Sequence, residues 1–598
     1  MSGDLHTEWA RLFAASLKDS GVGHAVISPG SRSTPLALAL ARVLPATVLH
    51  DERVAAFFAL GQGRASGRPS VVLATSGTAP GHWLPAAMEA REAGIPLLLV
   101  SADRPWEVQE AQASQTVDQI RLFGAHARAF FDLGLPDAHP AALAAVPRIA
   151  AQAVLATRWP LAGAVHINAR FRKPLEPLPT DRGEPWRPKL AAIAKAGAPR
   201  LFPPKPAPDP AAVAHLVEAV RANPRGVMVA GPLPALDAPA MRKAVARFVR
   251  ASGYTLLAEA TSQLRFGLEA VRPIGAFDAL LRAPDLRAAL RPDLAIEIGA
   301  PAVSAQWLAW ISGAEAPRRI VLPGERPADP AGGAAAMLLG PIAALLEAAA
   351  VDLEAAPPGA DTASAASCYA ASWQAAEAAA WAAREAAAGP QDGPLHEHHV
   401  APMLRSILQH GGTLMVGNSN PIRDLDHDVP PDAAPLEILH QRGAAGIDGL
   451  VSGTAGARTV LDGPLVLLTG DVALLHDAGG LAAAAAVGGP LAIVAVHNDG
   501  GRIFERLPLG RDAALADDCE MLFVASHGRA FDGLAATFGL GYARVETEEA
   551  LRDAVAAALA GDRPVLIEAR VVAGGSATRA ALLAAMAKAA VAAVSAAK

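Results

Sequence analysis

The sequence predicts an α/β protein built from three successive, doubly wound parallel-sheet domains. Short apolar runs alternate with segments of helical length along most of the 598 residues, and two proline- or alanine-rich stretches interrupt this alternation. Continuous apolar runs indicate strands that are buried on both faces, as in parallel sheets covered by crossover helices. The chain is also too long for a single hydrophobic core. We therefore expect domains at residues 1–180, 205–350 and 393–598.

Each expected domain contains a series of predicted strands separated by helical segments. In the first domain the strands lie at residues 24–28, 47–50, 70–75, 96–102 and 163–168. The proline-rich passage 174–210 is expected to be an irregular linker. The second domain has strands at 226–230, 254–258, 294–298 and 319–322, and a second linker at 355–394 carries one helix at 363–388. Strands of the third domain lie at 413–416, 436–440, 464–469, 491–497 and 564–571.

Composition restricts the class of protein. A net charge of −6 argues against a nucleic-acid binder, because such proteins need a basic face. Cys368 and Cys519 are the only cysteines, so a disulfide framework is not expected and a reducing, cytoplasmic location is. The N-terminus lacks the pattern of a secretory signal. The long apolar stretches are interrupted by glycine, proline or charge, so no membrane span is expected.

Oxygen-bearing residues follow two successive strands of the third domain. The strand at 464–469 ends in Gly470-Asp471, and the strand at 491–497 leads into Asn498-Asp499-Gly500-Gly501. Ligands of open parallel sheets bind at the carboxyl ends of the strands. The Asp471 carboxylate, the Asn498 amide oxygen and the Gly500 carbonyl form an oxygen set that suits Mg²⁺, with phosphate oxygens completing the shell. The alternative is that both segments are ordinary turns.

The residues on either side of Asp471 indicate that the ligand at this site is a diphosphate. Gly470 lets a ligand approach the backbone closely, and a helix beginning near Val472 and Ala473 would direct its amides at an anion.

In the first domain, a carboxylate and several hydroxyl-rich loops follow strands. Glu52 comes directly after the strand at 47–50, and its alternative role is that of a helix N-terminal carboxylate. Ser28-Pro29-Gly30-Ser31-Arg32-Ser33 closes the first strand. The other loops are Thr75-Ser76-Gly77-Thr78-Ala79, Ser101-Ala102-Asp103-Arg104-Pro105 and Ser114-Gln115-Thr116. Arginines at such positions suit fork-like binding of carboxylates. Gly61-Gln62-Gly63-Arg64 is predicted to continue a helix, because its glycines lack the spacing of a dinucleotide fingerprint.

Together these segments resemble the thiamine-diphosphate enzymes, which share a Gly-Asp followed some 25–30 residues later by an Asn-rich segment. Asp499 stands where many relatives have a second Asn. Within that group the sequence resembles the menaquinone-pathway family of 2-succinyl-5-enolpyruvyl-6-hydroxy-3-cyclohexene-1-carboxylate synthases, and the loop at residues 28–33 is its most specific motif. The resemblance implies a pyrimidine-binding first domain, a central α/β domain and a diphosphate-binding third domain.

The resemblance also implies a transferase that decarboxylates 2-oxoglutarate and adds the succinyl unit to isochorismate. Glu52 would be the catalytic residue, bonded to the aminopyrimidine of thiamine diphosphate. The cofactor would contact Glu52, Thr75, Ser76, Gly443, Ile447, Gly470, Val472, Ala473, Asn498 and Ile503. The metal, Mg²⁺ or alternatively Mn²⁺, would bind Asp471, Asn498 and Gly500. The substrates would contact Ser31, Arg32, Arg104, Gln115, Ser419, Arg423, Arg442, Phe504 and Leu507.

The family further implies a homodimer or homotetramer with active sites at the subunit interface. One segment departs from the pattern: some relatives carry a Lys-Arg pair in the central domain where this chain has Ala305 and Gln306. Two other functions stay open at this point. One is a different thiamine-diphosphate 2-oxoacid decarboxylase or carboligase, and the other is a non-catalytic α/β protein that binds a nucleotide or effector.

Overall fold

The computed structural model describes residues 3–178, 184–357, 359–389 and 393–596. Three parallel sheets with interleaved helices follow one another along the chain, which confirms the predicted fold class. The expected domain limits at residues 1, 180 and 598 lie outside the described residues.

The first sheet is formed by the N-terminal part of the chain. Its elements are α1 (Gly3–Asp19), β1 (Ala25–Ile27), α2 (Thr34–Val43), β2 (Ala46–Val48), α3 (Glu52–Ser66), β3 (Ser70–Ala74), α4 (Leu84–Ala93), β4 (Leu97–Asp103), β5 (Ala129–Asp132), α5 (Pro140–Ala156), β6 (Ala164–Arg170) and α6 (Arg187–Ala196). The strand order is β2-β1-β3-β4-β6-β5. The sequence did not predict β5, a short edge strand whose side chains are mostly half-buried.

The expectation of an irregular linker at 174–210 is wrong at α6. This helix carries a proline in its first turn and buries Leu190 in the core of the first domain. A proline is tolerated there, because the amide hydrogen that it lacks would have no intrahelical partner.

The second sheet has the order β11-β10-β9-β7-β8. Its elements are α7 (Pro210–Ala222), β7 (Gly226–Ala230), α8 (Ala238–Ser252), β8 (Thr255–Ala258), α9 (Phe277–Leu280), α10 (Pro284–Ala289), β9 (Leu294–Ile298), α11 (Ala305–Ile311), β10 (Arg318–Gly324), β11 (Ala336–Leu339) and α12 (Ile342–Ala355). The helix predicted at 363–388 is confirmed as α13 (Ala360–Ala387). Strand β11 lies at the sheet edge and was not predicted.

The third sheet, β13-β12-β14-β15-β17-β16, repeats the order of the first. Its elements are α14 (Glu397–Leu408), β12 (Thr413–Val416), α15 (Asn420–Asp428), β13 (Glu437–His440), α16 (Leu450–Arg458), β14 (Leu465–Gly470), α17 (Asp471–His476), α18 (Gly480–Val487), β15 (Leu491–His497), α19 (Pro508–Arg511), α20 (Ala516–Cys519), α21 (Asp532–Phe538), β16 (Gly541–Val545), α22 (Glu548–Ala560), β17 (Val565–Arg570) and α23 (Gly575–Ala596). The order reverses between β1 and β3 and between β12 and β14, and ligands of such sheets bind at these reversal points.

Helix α23 is long and apolar enough to cross a membrane by length and composition alone. In the structure it packs along α13, and Leu583, Met586 and Ala590 lie in one buried core with Trp373. This packing buries part of α23, and it is compatible with the prediction of no membrane span.

Helices α3 and α16 join the first and third domains by direct backbone contact. A Cβ atom on Gly61 would overlap the carbonyl oxygen of Gly453, and one on Gly456 would overlap the carbonyl oxygen of Phe58. The prediction that residues 61–64 continue a helix is confirmed, because α3 runs through them. Glycine at these positions therefore sets how closely the two domains approach.

We expect Gly61→Ala to lower the free energy of unfolding by about 1–3 kcal/mol or more, because the new methyl group cannot fit without moving α16. Gly533→Ala is the matched control, since it also lies in a helix and its added Cβ would meet nothing within 4 Å. The control is expected to be more stable than the parent by about 0.5–1 kcal/mol. Urea unfolding curves measure both, and equal stabilities would contradict the close-packing argument.

Candidate active site

The Asp471 carboxylate lies at the junction of β14 and α17 and is only 2% exposed. Its Oδ1 atom accepts a hydrogen bond from the Val472 amide at 2.7 Å, and Oδ2 accepts one from the Gly500 amide at 3.0 Å. Strands β14 and β15 are direct neighbours. The structure thus brings Asp471 and the segment 498–500 together, as expected from their positions after adjacent parallel strands.

The side-chain amide of Asn498 is oriented by a carboxylate from a distant helix. Its Nδ2 donates to Glu397 Oε1 at 2.6 Å, and Arg579 Nη2 donates to the other oxygen of Glu397 at 3.3 Å. Asn498 Oδ1 accepts from no described residue and is therefore available as a ligand atom. Glu397 was missed by the sequence analysis, because no local signal links it to a loop about a hundred residues away.

His527 is a second residue that the sequence analysis missed. Its Nε2 lies 3.3 Å from Asp471 Oδ2, and its Nδ1 lies 3.5 Å from Asp499 Oδ1. Asp471, His497 and His527 each offer a ligand atom, and these atoms lie within 4.8 Å of one another. The His497 ring is already engaged, however, because Nδ1 lies 2.8 Å from Glu568 and Nε2 lies 3.0 Å from Arg570. The oxygen set at 471, 498 and 500 is therefore the better candidate for a hard cation.

Asp499 holds the backbone turn that carries His527. The backbone of Asp499 is left-handed, with φ of 62°. Its Oδ1 accepts hydrogen bonds from the amides of His527 and Gly528. The bond from the Gly528 amide is the main cause that lowers the pKa of this carboxyl. Asp499 thus stabilises the neighbouring turn.

Glu52 opens α3 but does not cap it. Asp51 is the N-cap residue, and its side chain accepts hydrogen bonds from the amides of Arg53 and Val54. The half-buried Glu52 carboxylate has no hydrogen-bond or ion-pair partner among the described residues. The alternative role as a capping carboxylate is therefore filled by the preceding residue, and Glu52 is left free to meet a ligand.

The loops after β1, β3 and β4 converge in the first domain. Ser76 Oγ donates to the backbone oxygen of Gln115 at 2.9 Å, and Arg104 Nη2 lies 3.4 Å from Gln115 Oε1. Arg32 is buried, and its Nη1 donates to the Phe171 carbonyl at 2.6 Å. Burial, reinforced by the neighbouring Arg104 charge, lowers the pKa of Arg32 to about 10. Arg32 and Arg104, both predicted to bind carboxylates, thus lie near each other in the first domain.

Ser31 and Thr75 complete this region. Ser31 begins a short helical turn and is exposed, and Thr75 packs so closely on Gly30 that a Cβ there would overlap it.

A second pair of predicted arginines meets in the third domain. Arg423 Nη1 donates to the backbone oxygen of Ser419 at 2.7 Å, and Arg442 Nη1 donates to Asn418 Oδ1 at 2.9 Å. Burial lowers the pKa of Arg442, and the charge of Arg423 lowers it further. Ser419 has φ of 71° and ψ of −130°, a conformation that is strained for a residue with a side chain.

Glu89 of the first domain holds the loop that carries Arg442, Gly443 and Ile447. Its carboxylate accepts hydrogen bonds from the amides of Gly443 at 3.2 Å and Ala444 at 2.6 Å. Arg64 of α3 pairs with the same carboxylate at 3.1 Å. Glu89 was not predicted, because its partner loop lies in another domain.

The two arginine clusters remain separate within one chain. No described hydrogen bond or ion pair joins Glu52, Arg32 or Arg104 to the loops of the third domain. The first turn of α3 instead reaches the far end of α17, where Arg53 Nη2 donates to the His476 carbonyl at 3.1 Å. Glu52 is therefore not enclosed by the third-domain loops of its own chain.

Apolar side chains beside the metal segment are exposed. Met521 and Leu522 are 66% and 64% exposed, and Leu507 is 47% exposed. This segment follows Ile503 and Phe504, which are predicted to contact the cofactor and the substrates. The Phe504 ring lies 5.6 Å from that of Phe523. The nearby Val472 is also exposed. Such a patch, next to polar ligand atoms, is typical of a surface that another molecule covers.

Known proteins resemble the chain along almost its whole length. Residues 7–122 match the N-terminal TPP binding domain of thiamine pyrophosphate enzymes, and residues 433–569 match the C-terminal TPP binding domain. A 2-succinyl-5-enolpyruvyl-6-hydroxy-3-cyclohexene-1-carboxylate synthase from Sorangium cellulosum is 45% identical over 97% of this chain and 95% of its own length. Synthases of the same name from Myxococcus xanthus and Haloarcula marismortui are 41% and 34% identical, each over 96% of both chains.

We expect Ser419→Gly to raise the free energy of unfolding by about 1 kcal/mol, because glycine adopts the left-handed backbone without strain. Ser406→Gly, inside α14, is the control. It should lower the free energy of unfolding, because glycine has a low helix propensity. Thermal unfolding of both variants without substrates provides the comparison. A loss of stability in both would show that the backbone at 419 is not strained.

Proposed function

The chain belongs to the 2-succinyl-5-enolpyruvyl-6-hydroxy-3-cyclohexene-1-carboxylate synthase family, and we propose that its active centre is built from the strand-end loops of the first and third domains. The protein is a thiamine-diphosphate-dependent transferase of menaquinone biosynthesis. It decarboxylates 2-oxoglutarate and adds the succinyl unit to isochorismate. The observation that carries the assignment of the site is the buried Asp471 carboxylate bonded to Gly500 beside the free Asn498 oxygen.

The third domain fits the diphosphate and its metal. Asp471, the Asn498 Oδ1 atom and the Gly500 carbonyl are proposed to bind Mg²⁺, with Mn²⁺ as the alternative ion. Nothing lies within 4 Å of a Cβ built on Gly470, so a phosphate can approach the backbone there. The amides of Val472 and Ala473 at the start of α17 are its proposed hydrogen-bond donors.

The first domain fits the aminopyrimidine end through Glu52. When bound, thiamine diphosphate supplies the electron sink that allows a 2-oxo acid to lose carbon dioxide. Glu52 is proposed to share a proton with the pyrimidine ring, while Thr75 and Ser76 line the same end. Gly443, Ile447 and Ile503 are proposed to support the cofactor from the third domain. A carboxyl without a protein partner is suited to this task, because no internal bond competes for its proton.

We propose a homodimer, or a tetramer of such dimers, in which the first domain of one copy faces the third domain of the other. Two observations support this arrangement: Glu52 is only half-buried, and the apolar side chains of Val472, Leu507, Met521 and Leu522 are exposed in a single chain. A second copy would cover both and exclude water from the reaction. A cytoplasmic location is also proposed, and the unpaired Cys368 and Cys519 are compatible with it.

The substrates carry carboxylates, and the proposed polar binding residues have cationic, hydroxyl or amide side chains. In the first domain they are Ser31, Arg32, Arg104 and Gln115, and in the third they are Ser419, Arg423 and Arg442. Phe504 and Leu507 would supply an apolar wall for isochorismate. A local excess of arginine also draws anions toward the site of an acidic protein.

We expect turnover of 2-oxoglutarate only when isochorismate, thiamine diphosphate and a divalent ion are all present. Carbon dioxide release and formation of the coupled product are followed together, and omission of each component in turn is the control. Removal of the ion with a chelator should abolish turnover, and added Mg²⁺ should restore it. Efficient turnover of pyruvate in place of 2-oxoglutarate would contradict the assigned substrate.

Glu52→Gln is expected to reduce kcat by roughly 100-fold or more, since the amide cannot share a proton with the pyrimidine ring. Calorimetric titration with thiamine diphosphate and Mg²⁺ should show affinity within a few-fold of the parent, because the diphosphate site is unchanged. Asp51→Asn neutralises the adjacent carboxylate but keeps an N-cap acceptor, so it should retain activity. Full activity in Glu52→Gln, or equal losses in both variants, would contradict the role of Glu52.

A further inference from the structure

The first turn of α23 places a buried arginine behind the proposed metal ligand Asn498. Arg579 is only 3% exposed. Its Nη2 atom donates to Glu397 Oε2 at 3.3 Å and also to a carboxyl oxygen of Asp424. Glu397 Oε1 in turn accepts a hydrogen bond from Asn498 Nδ2 at 2.6 Å. A line of hydrogen bonds therefore runs from Asp424 on α15, through α23 and α14, to the segment that follows β15.

The start of α23 also fixes this line by close packing and by a second bond. A Cβ atom on Gly575 would lie 2.7 Å from the carboxyl carbon of the buried Glu397, so the helix backbone touches that side chain. Ser576 Oγ donates to the carbonyl of Arg502 at 3.3 Å, and Arg502 Nε donates to the carbonyl of Asn498 at 3.2 Å. Helix α23 therefore contacts the proposed metal segment by two separate routes.

The chemistry of these groups determines which atom of Asn498 faces the ion. A guanidinium carries only hydrogen-bond donors, so Arg579 bonds an oxygen of Glu397. A carboxylate carries only acceptors, so its other oxygen takes the amide hydrogen of Asn498 Nδ2. The amide oxygen of Asn498 then lies on the opposite side, where no described residue bonds it. An asparagine without such a neighbour could turn over and present its nitrogen, which is not a ligand for a cation.

We propose that Arg579 is a positioning residue of the active centre: anchored by Asp424, it holds Glu397 so that Asn498 presents its oxygen to the divalent ion. This inference rests on the proposed function, because it names the residue that orients a proposed metal ligand. Replacing a residue that orients a metal ligand commonly changes metal affinity by about 10–100-fold. Arg579 and Glu397 are not among the proposed substrate residues, so the effect is expected on the ion and not on 2-oxoglutarate.

The test measures Mn²⁺ binding to the full-length protein with thiamine diphosphate. Binding is followed by the protein-dependent loss of the electron paramagnetic resonance signal of free Mn²⁺. In Glu397→Gln, Arg579 is expected to take the single oxygen of the new amide and to leave the amide nitrogen facing Asn498. Asn498 then turns its own oxygen toward residue 397 and away from the ion. The dissociation constant for Mn²⁺ should therefore rise roughly tenfold or more.

The double variant Glu397→Gln/Arg579→Met removes the donor that selects this orientation. The glutamine can then turn its oxygen toward Asn498, and most of the lost Mn²⁺ affinity should return. Methionine fills the space of the arginine stem without a hydrogen-bond donor. Replacing both members of a buried pair is also better tolerated than replacing one. A purely structural role predicts the opposite result, because a second change in a buried contact would weaken binding further.

Glu546→Gln is the matched control, because Glu546 is an exposed carboxylate of the third domain that pairs with Arg544. Its dissociation constant for Mn²⁺ should stay within twofold of the parent. At saturating Mg²⁺, the KM for 2-oxoglutarate should change less than twofold in Glu397→Gln, since Arg423 and Arg442 are untouched. Glu397→Asp, whose shorter side chain cannot reach both partners, is the second single variant if Glu397→Gln fails to fold, and it should also weaken Mn²⁺ binding.

An unchanged Mn²⁺ affinity in the Glu397 single variant, or a double variant that binds Mn²⁺ no more tightly than Glu397→Gln, would overturn the inference. These results differ from failure of the proposed function, in which the parent protein itself would not bind Mn²⁺ together with thiamine diphosphate or would not couple the two substrates.

Discussion

The glycine-mediated contact between α3 and α16 is the constraint on which the rest of the structure depends. Glu52 is the first residue of α3, and the loop that carries Arg442 and Ile447 leads into α16. Gly61 and Gly456 let the two backbones touch, so no side chain acts as a spacer between them. Interiors are close-packed and transmit small displacements. The position of the carboxylate relative to the substrate loop is therefore set by backbone shape.

The identical strand order of the first and third sheets explains why residues of both cluster at equivalent points. Loops after β1 and β3 carry Arg32 and Ser76, and loops after β12 and β14 carry Ser419 and Asp471. Each pair of strands flanks a reversal of the order, where helices on opposite faces leave a crevice. Each crevice carries half of the groups that are proposed to hold the cofactor. Within one chain, the first turn of α3 contacts the C-terminal end of α17, whereas Asp471 lies at the N-terminal end of that helix. The two crevices of one chain therefore do not face a single ligand.

The sequence was sufficient for features that depend on local pattern. Buried strands such as β7, β9 and β15 appear as unbroken apolar runs, and Asp471 and Asn498 were found because they follow such runs. Edge strands such as β5 lack this signal, since their side chains are only half-buried. Glu397, Glu89 and His527 were missed for a different reason: each acts on a loop that is distant in sequence, and only the folded structure reveals the pair. Groups that bind a ligand are therefore easier to predict from one sequence than the residues that orient those groups.

Charge distribution ties the middle domain to this chemistry. The chain is acidic overall, yet several carboxyls near the arginines are paired or have a raised pKa: Asp278 is hydrogen-bonded, and burial raises the pKa of Glu259 and of Asp424. Ionising either buried group would cost desolvation energy and weaken the attraction for anions. The middle domain thus contributes two of these carboxyls, Asp278 and Glu259, to a pocket that the predicted substrate residue Arg423 also lines. A change in the middle domain can therefore alter this pocket without touching the proposed cofactor residues, which lie on the first and third domains.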